Sequence, residues 1–149
     1  MKVKIKKLVK HAVMPSYARE GDVGMDLTAI SKTKDEYGNQ VYGTGLAFEV
    51  PEGYFMMLVP RSSNAKKNLM LTNHCGLVDS SFRGEVLFKY AFVDSHEKET
   101  SIQKGVNSYE IGDRIGQLVI LPYPHIEFEE VKELSETERG NGGYGSTGN

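Results

Sequence analysis

"LAFEVPEGYFMMLVP", residues 46–60, decides the fold. Leu46, Phe48 and Val50 alternate with Ala47 and Glu49, the period of a strand with one buried face. "PEGY" (51–54) interrupts the chain with proline and glycine. "FMMLV" (55–59) then runs apolar without a break. Five apolar residues bounded by turn formers are too few for a helix, so this run reads as a strand covered on both faces. The same signal recurs outward in "EVLFKYAFV" (85–93), "RIGQLVIL" (114–121) and "HIEFEEV" (125–131), each predicted to be a strand. "KDEYGNQ" (34–40) predicts a hairpin tip. Near the start, "MKVKIKKLVK" alternates Lys2, Lys4 and Lys6 with Val3 and Ile5, an edge strand guarded by lysine. Helical periodicity is confined to "SSNAKKN" (62–68). The expected fold is all-β, a distorted jelly roll or barrel-like sandwich. Residues 1–135 form its single domain, and 136–149 a flexible C-terminal arm outside the strand pattern.

The chain has 149 residues, 39% of them hydrophobic and 26% charged, with a net charge of −2. That is enough for one buried core. The balance gives no electrostatic case for nucleic acid. No apolar run is long enough for a membrane-spanning helix, and the basic start lacks the apolar core of a signal peptide. A single cysteine, Cys75, excludes an internal disulfide and fits a reducing compartment, so a cytoplasmic protein is expected.

Several familiar chemistries find no support. His11, His74, His96 and His125 are scattered, without the spacing of a zinc site. His74 adjoins Cys75 but no orienting acid accompanies the pair, and a packing role is expected for it. The Gly-rich end lacks the lysine of a P-loop. The polar connection 94–113 carries no catalytic signature and reads as a surface excursion.

Five short stretches remain. "GDVGMDLTA" (21–29) places Asp26 among apolar residues, where a carboxylate is costly without a partner. "PRSSNAKKN" (60–68) puts Arg61, Ser62 and Ser63 directly after a buried strand; a guanidinium fork suits phosphate oxygens. "GLVDSSFRGEV" (76–86) carries Asp79 on a turn. "GDRIGQL" (112–118) sets Gln117 into an apolar strand. "ERGNGGYGSTGN" (138–149) has glycine amides beside Arg139, Tyr144, Ser146 and Thr147. Jointly these are an inventory for holding a polyphosphate, with one acid, Asp79, left for chemistry on it.

In this order and spacing the five stretches resemble the five motifs of the homotrimeric dUTP pyrophosphatase (dUTPase) family, over about Gly21 to Gly148. The resemblance implies hydrolysis of dUTP to dUMP and pyrophosphate with Mg²⁺ held by substrate phosphates and water, not by a protein cage. It implies that Asp79 activates the attacking water, that Gln117 binds an α-phosphate oxygen, and that Ser62 and Ser63 meet the α/β bridge. Arg61 would serve the phosphate region. Asp26, through water and neighbouring arginines, and Arg114 would support it. Asn73, Gly76 and Val78 would read uracil, and Phe82 would pack under deoxyribose. Arg139, Gly145, Ser146 and Thr147 would close on the phosphates and Tyr144 on the base, over a site shared between subunits. Three residues depart from the pattern: Phe82 for the usual tyrosine, Tyr144 for phenylalanine, and Gly116 for alanine, expected to be a small change. Two alternatives stand beside this reading. A dCTP deaminase shares the fold but needs a glutamate-centred site at the base, and Asp79 argues against it. A regulatory binding protein would use the same scaffold without needing the full catalytic set.

Overall fold

The computed structural model describes residues 1–93 and 108–143. Ten strands and one five-residue 3-10 helix account for its regular structure, with no α-helix among the described residues. A two-stranded sheet pairs β1 (Lys4–Lys7) with β5 (Leu46–Glu49). A four-stranded sheet runs β2 (Met25–Thr28), β10 (Arg114–Pro122), β6 (Tyr54–Val59) and β8 (Gly76–Val78). A second four-stranded sheet runs β3 (Ser31–Lys34), β4 (Gln40–Gly43), β9 (Leu87–Phe92) and β7 (Leu69–Leu71). Every strand pairing is antiparallel.

One core joins the three sheets: Leu46 and Phe48, then Leu27, Met56, Leu58, Ile115 and Leu118, then Tyr42, Leu71, Phe88 and Tyr90. The strands expected at 46–50, 55–59, 85–93 and 114–121 are present, displaced by a residue or two. Asp35 builds the 34–40 tip by accepting the backbone N–H of Tyr37 and Asn39 at 3.1 and 3.0 Å, and Gly38 takes the left-handed turn position at φ 82°. Along β1, Lys4, Lys6 and Lys7 are exposed while Ile5 is half-buried, the guarded edge that the alternation predicts.

The strand expected at 125–131 is absent. Residues 123–130 have no regular structure, Phe128 is 96% exposed, and Ile126, Val131 and Leu134 are exposed too. The alternation there is real, but the described chain offers this segment no partner strand. His74 differs as well. It is exposed and turns the chain at φ 59°, so it packs against nothing in the core. Histidine tolerates that region better than most side chains.

One irregularity positions the site. In β10 the register slips between Arg114, opposite Thr28, and Gly116, opposite Leu27. The extra residue is a β-bulge. Side chains three apart in a regular strand point to opposite faces. The bulge restores Arg114 and Gln117 to the same face as Asp26.

Candidate active site

Asp26 lies on β2, and Gln117 lies directly across from it on β10. On the other side of β10, Gln117 faces Val59, the last residue of β6, and two residues later the chain delivers Arg61. The strand order alone therefore gathers three polar side chains on one patch of sheet. Asp26 is only 8% exposed. Its Oδ1 accepts Arg61 Nε at 2.9 Å and Gln117 Nε2 at 3.1 Å, and its Oδ2 accepts Arg114 Nη1 at 3.0 Å. A carboxylate offers about four lone-pair sites, so these three donors nearly saturate it. Burial is tolerated because two guanidiniums compensate the charge. The cluster keeps one net positive charge, a suitable floor for an anion. Gly24 stands against this knot: a Cβ there would sit 3.2 Å from Gln117 Cβ and Cδ.

Beyond Arg61 the chain forms the 3-10 helix Ser62–Lys66, which buries none of its residues. Arg61 Nη1 donates to Ser63 Oγ at 3.2 Å, and the Ser62 hydroxyl group sits on an exposed residue at the helix start. Arg61 thus bridges Asp26 and the serine turn.

The β7–β8 connection holds Asn73, whose carbonyl accepts Cys75 N–H at 2.6 Å. Gly76 is buried opposite Leu58. A Cβ at Gly76 would lie 3.2 Å from Leu58 Cβ and 3.3 Å from Asn73 Nδ2, so glycine makes room for that amide. Val78 is half-buried, and Asp79 follows it, exposed. Phe82 N–H closes a turn on Asp79 O at 3.1 Å. The Phe82 ring covers Gly84, where a Cβ would meet Cζ at 2.6 Å. Arg83 Nη1 ties the same turn to Ser80 O and Phe82 O at 2.6 and 2.8 Å.

The expected residues do not all meet. Asp26, Arg61, Ser63, Arg114 and Gln117 form one connected cluster. Asp79 does not join it: Val78 pairs with Met56, three residues down β6 from Val59, a strand length of about 10 Å. Arg139 is exposed and donates through Nε to Gly142 O at 2.9 Å, within its own turn. Tyr144, Gly145, Ser146 and Thr147 lie outside the described residues. Among the described residues no three His, Cys, Asp or Glu side chains converge as a metal cluster, and no helix is long and apolar enough to cross a membrane.

The residue expected to be a minor departure proves structurally demanding. A Cβ on Gly116 would collide with Cε1 and Cζ of Phe88. Phe88 is buried and stacked on Tyr90, their rings 6.3 Å apart and 10° from parallel. Alanine has no space here unless the stack moves. Asn64 and Tyr109 escaped sequence reading entirely, although the lone aromatic inside the polar connection was a usable sign.

Residues 10–148 match the model of the dUTPase family. The chain belongs to the dUTPase family. It is 39% identical to the deoxyuridine 5'-triphosphate nucleotidohydrolase of Hydrogenobaculum sp., over 99% of each chain. It is 41% identical to the protein of that name from Nautilia profundicola, again over 99% of each. Among solved structures it resembles the Staphylococcus bacteriophage 80alpha dUTPase bound to dUPNHPP, with a TM-score of 0.79 and 27% identity, covering 99% of this chain and 98% of that one. The family match spans all five motif stretches.

Proposed function

We propose that the chain hydrolyses dUTP to dUMP and pyrophosphate by in-line attack of an Asp79-activated water on the α-phosphorus, limiting uracil in DNA and supplying dUMP for thymidylate synthesis. Family membership supports the reaction, and one observation carries its placement. The net-positive knot of Arg61, Arg114 and Gln117 on Asp26 opens beside the exposed Ser62. That patch suits the α- and β-phosphates. Gln117 turns its amide from Asp26 to an α-phosphate oxygen, while Ser62 and Ser63 meet the α/β bridge. Asp26 and Arg114 hold this set in register. The Asp79 carboxylate takes a proton from water; the water oxygen bonds phosphorus as the bridging P–O bond breaks and pyrophosphate leaves. Asn73, Gly76 and Val78 pair with the uracil edge, so cytosine leaves polar groups unmatched. The Phe82 ring lies under deoxyribose.

The residues present fit Mg²⁺ carried on the triphosphate. Asp26 has about one lone-pair site beyond its three donors, suited to a metal-bound water. The ion would supply neutralisation of charge on the phosphate oxygens.

The family resemblance also implies an assembly, and the geometry is compatible with it. Val78, next to Asp79, lies about 10 Å of strand away from the cluster, and a second copy bringing its own Asp79 would complete each site. Ile126 and Phe128 alternate as in a strand and, with Val131 and Leu134, leave four exposed apolar side chains that another chain would cover. We read the assembly as a homotrimer with shared sites. Residues 136–149 close over the bound triphosphate, through Arg139, Gly145, Ser146 and Thr147 at the phosphates and Tyr144 at the base. A cytoplasmic location accords with the exposed free Cys75. A second role is favoured by one likeness: the 80alpha protein is described among phage dUTPases that control transfer of virulence genes. A protein partner displaced by nucleotide would establish such a role here.

The decisive measurement is substrate-resolved turnover. Purified protein with Mg²⁺ releases pyrophosphate from dUTP, with dCTP and dTTP slower by on the order of 10²-fold or more. Asp79→Asn keeps nucleotide binding and loses about 10²-fold or more in kcat. Deamination of dCTP, or full turnover by Asp79→Asn, would overturn the assignment.

A further inference from the structure

The 3-10 helix Ser62–Lys66 has no reason of its own to hold still. It is one short turn, it buries no residue, and its N-cap Arg61 makes no side-chain cap hydrogen bond. Isolated short helices are unstable in water. At its start, the turn is fixed through the ion pair of Arg61 with Asp26 at 2.9 Å. In its middle it is held by Asn64, through backbone and side chain alike. Asn64 N–H donates to Arg61 O at 2.8 Å and Asn64 O accepts Lys67 N–H at 2.9 Å. Asn64 Nδ2 donates to Leu69 O at 2.8 Å. Asn64 Oδ1 accepts the hydroxyl of Tyr109 at 3.0 Å.

Tyr109 is well placed to be the fixed end. It is 2% exposed and packs edge-on against Tyr42, ring centroids 5.8 Å apart, and tilted against Tyr90 at 5.5 Å. Its backbone N–H donates to Tyr42 Oη and its carbonyl accepts from the same oxygen, each at 3.2 Å. Lys67 Nζ stands 4.5 Å from the centre of the Tyr109 ring and donates to Ser108 O at 3.2 Å. Lys32 Nζ reaches Ser108 Oγ at 2.9 Å and Glu110 Oε1 at 2.7 Å. Burial pushes the Tyr109 phenol above its usual pKa, so its hydroxyl is a donor throughout the neutral range.

We propose that Tyr109 and Asn64 are positioning residues, which hold Ser62 and Ser63 where the phosphates of the substrate arrive. The inference rests on the reading of those serines as phosphate contacts. Its physical content is preorganisation: a turn already fixed costs no ordering entropy when the triphosphate binds. On the same reading the nucleoside lies against the β7–β8 connection, and the Tyr109 hydroxyl bond touches only the serine turn. The device therefore acts on phosphate affinity and leaves base recognition alone.

Calorimetric titration with two probes separates these effects: deoxyuridine, and the α,β-imido analogue of dUTP with Mg²⁺. Tyr109→Phe removes only the hydroxyl. It should weaken the analogue roughly fivefold, within the net range of one hydrogen bond, and leave deoxyuridine binding unchanged. Asn64→Leu, on a helix that buries nothing, should do at least as much, and adding Tyr109→Phe to it should cost little more. A Tyr109→Phe protein that melts earlier yet binds both probes normally would reduce the pair to ordinary packing and overturn the proposal. Equal weakening of both probes would overturn it too. Ser62→Ala is the control on the underlying reading. If that variant binds the analogue as well as the parent does, the phosphate assignment of the turn has failed and the positioning role falls with it. An effect of Tyr109→Phe beside a normal Ser62→Ala response supports both.

Discussion

Asp26 shows how one residue gathers charged and polar side chains from three parts of the chain. Its two oxygens accept from Arg61, Arg114 and Gln117, which come from a loop and from both sides of a bulge. Removing its charge leaves Arg61, itself mostly buried, facing a neutral group. Asp26→Asn should cost about 3 kcal/mol, lowering the melting temperature by about 10 °C, and should raise KM for dUTP as the serine turn loosens. Calorimetry and initial rates check both; an unchanged melting point would mean that water replaces the carboxylate. Asp26 was legible in sequence as an anomaly, a carboxylate between apolar neighbours. Its partners were legible only as separate anomalies. Nothing in the order of residues says that positions 26, 61, 114 and 117 converge, because that depends on which strands become neighbours. The pairing of Asn64 with Tyr109 was not legible, since a hydrogen bond spanning 45 positions leaves no local pattern, even though Tyr109 stands out as the lone aromatic of its connection.

At the scale of elements, β10 carries most of the design. It lies between β2 and β6 and contributes the bulge that turns Arg114 and Gln117 to one face. The bulge brings Gly116 beneath Phe88, and the stack of Phe88 on Tyr90 leaves no room for a methyl group. Gly116→Ala should cost about 2 kcal/mol through overpacking, and Phe88→Leu in the same chain should recover part of it. Denaturant unfolding of the two variants checks this; additive losses would show that the methyl finds space elsewhere. Alternation located β1, β5, β9 and β10, because a period of two reports burial directly; it did not find β2, β3, β4, β7 or β8, each only three or four residues long. It could not report the bulge, where the period breaks by one residue. At 125–131 alternation pointed to a strand whose partner the described chain does not supply. That pattern records which face is apolar and is silent on who covers it.

At the scale of the whole molecule, the proposed function leaves a single chain with an incomplete site. Gln117 lies with Asp26, Arg61 and Arg114, and Val78, next to Asp79, lies about 10 Å of strand away. Chains carrying Asp79→Asn and chains carrying Gln117→Ala should each be nearly inactive. Co-assembled in equal amounts, they should regain about a quarter of parental turnover, because random mixing within a symmetric oligomer completes one site in four. No recovery on mixing would place both residues in one chain's site. The exposed row of Ile126, Phe128, Val131 and Leu134 then has a cellular meaning. A newly made copy shows this row as an extended, unprotected handle of the kind that proteases cut. In the proposed homotrimer, copies that find their sisters would hide it. The lifetime of each molecule would then be set by how many others surround it, and a cell that makes few copies would keep fewer still.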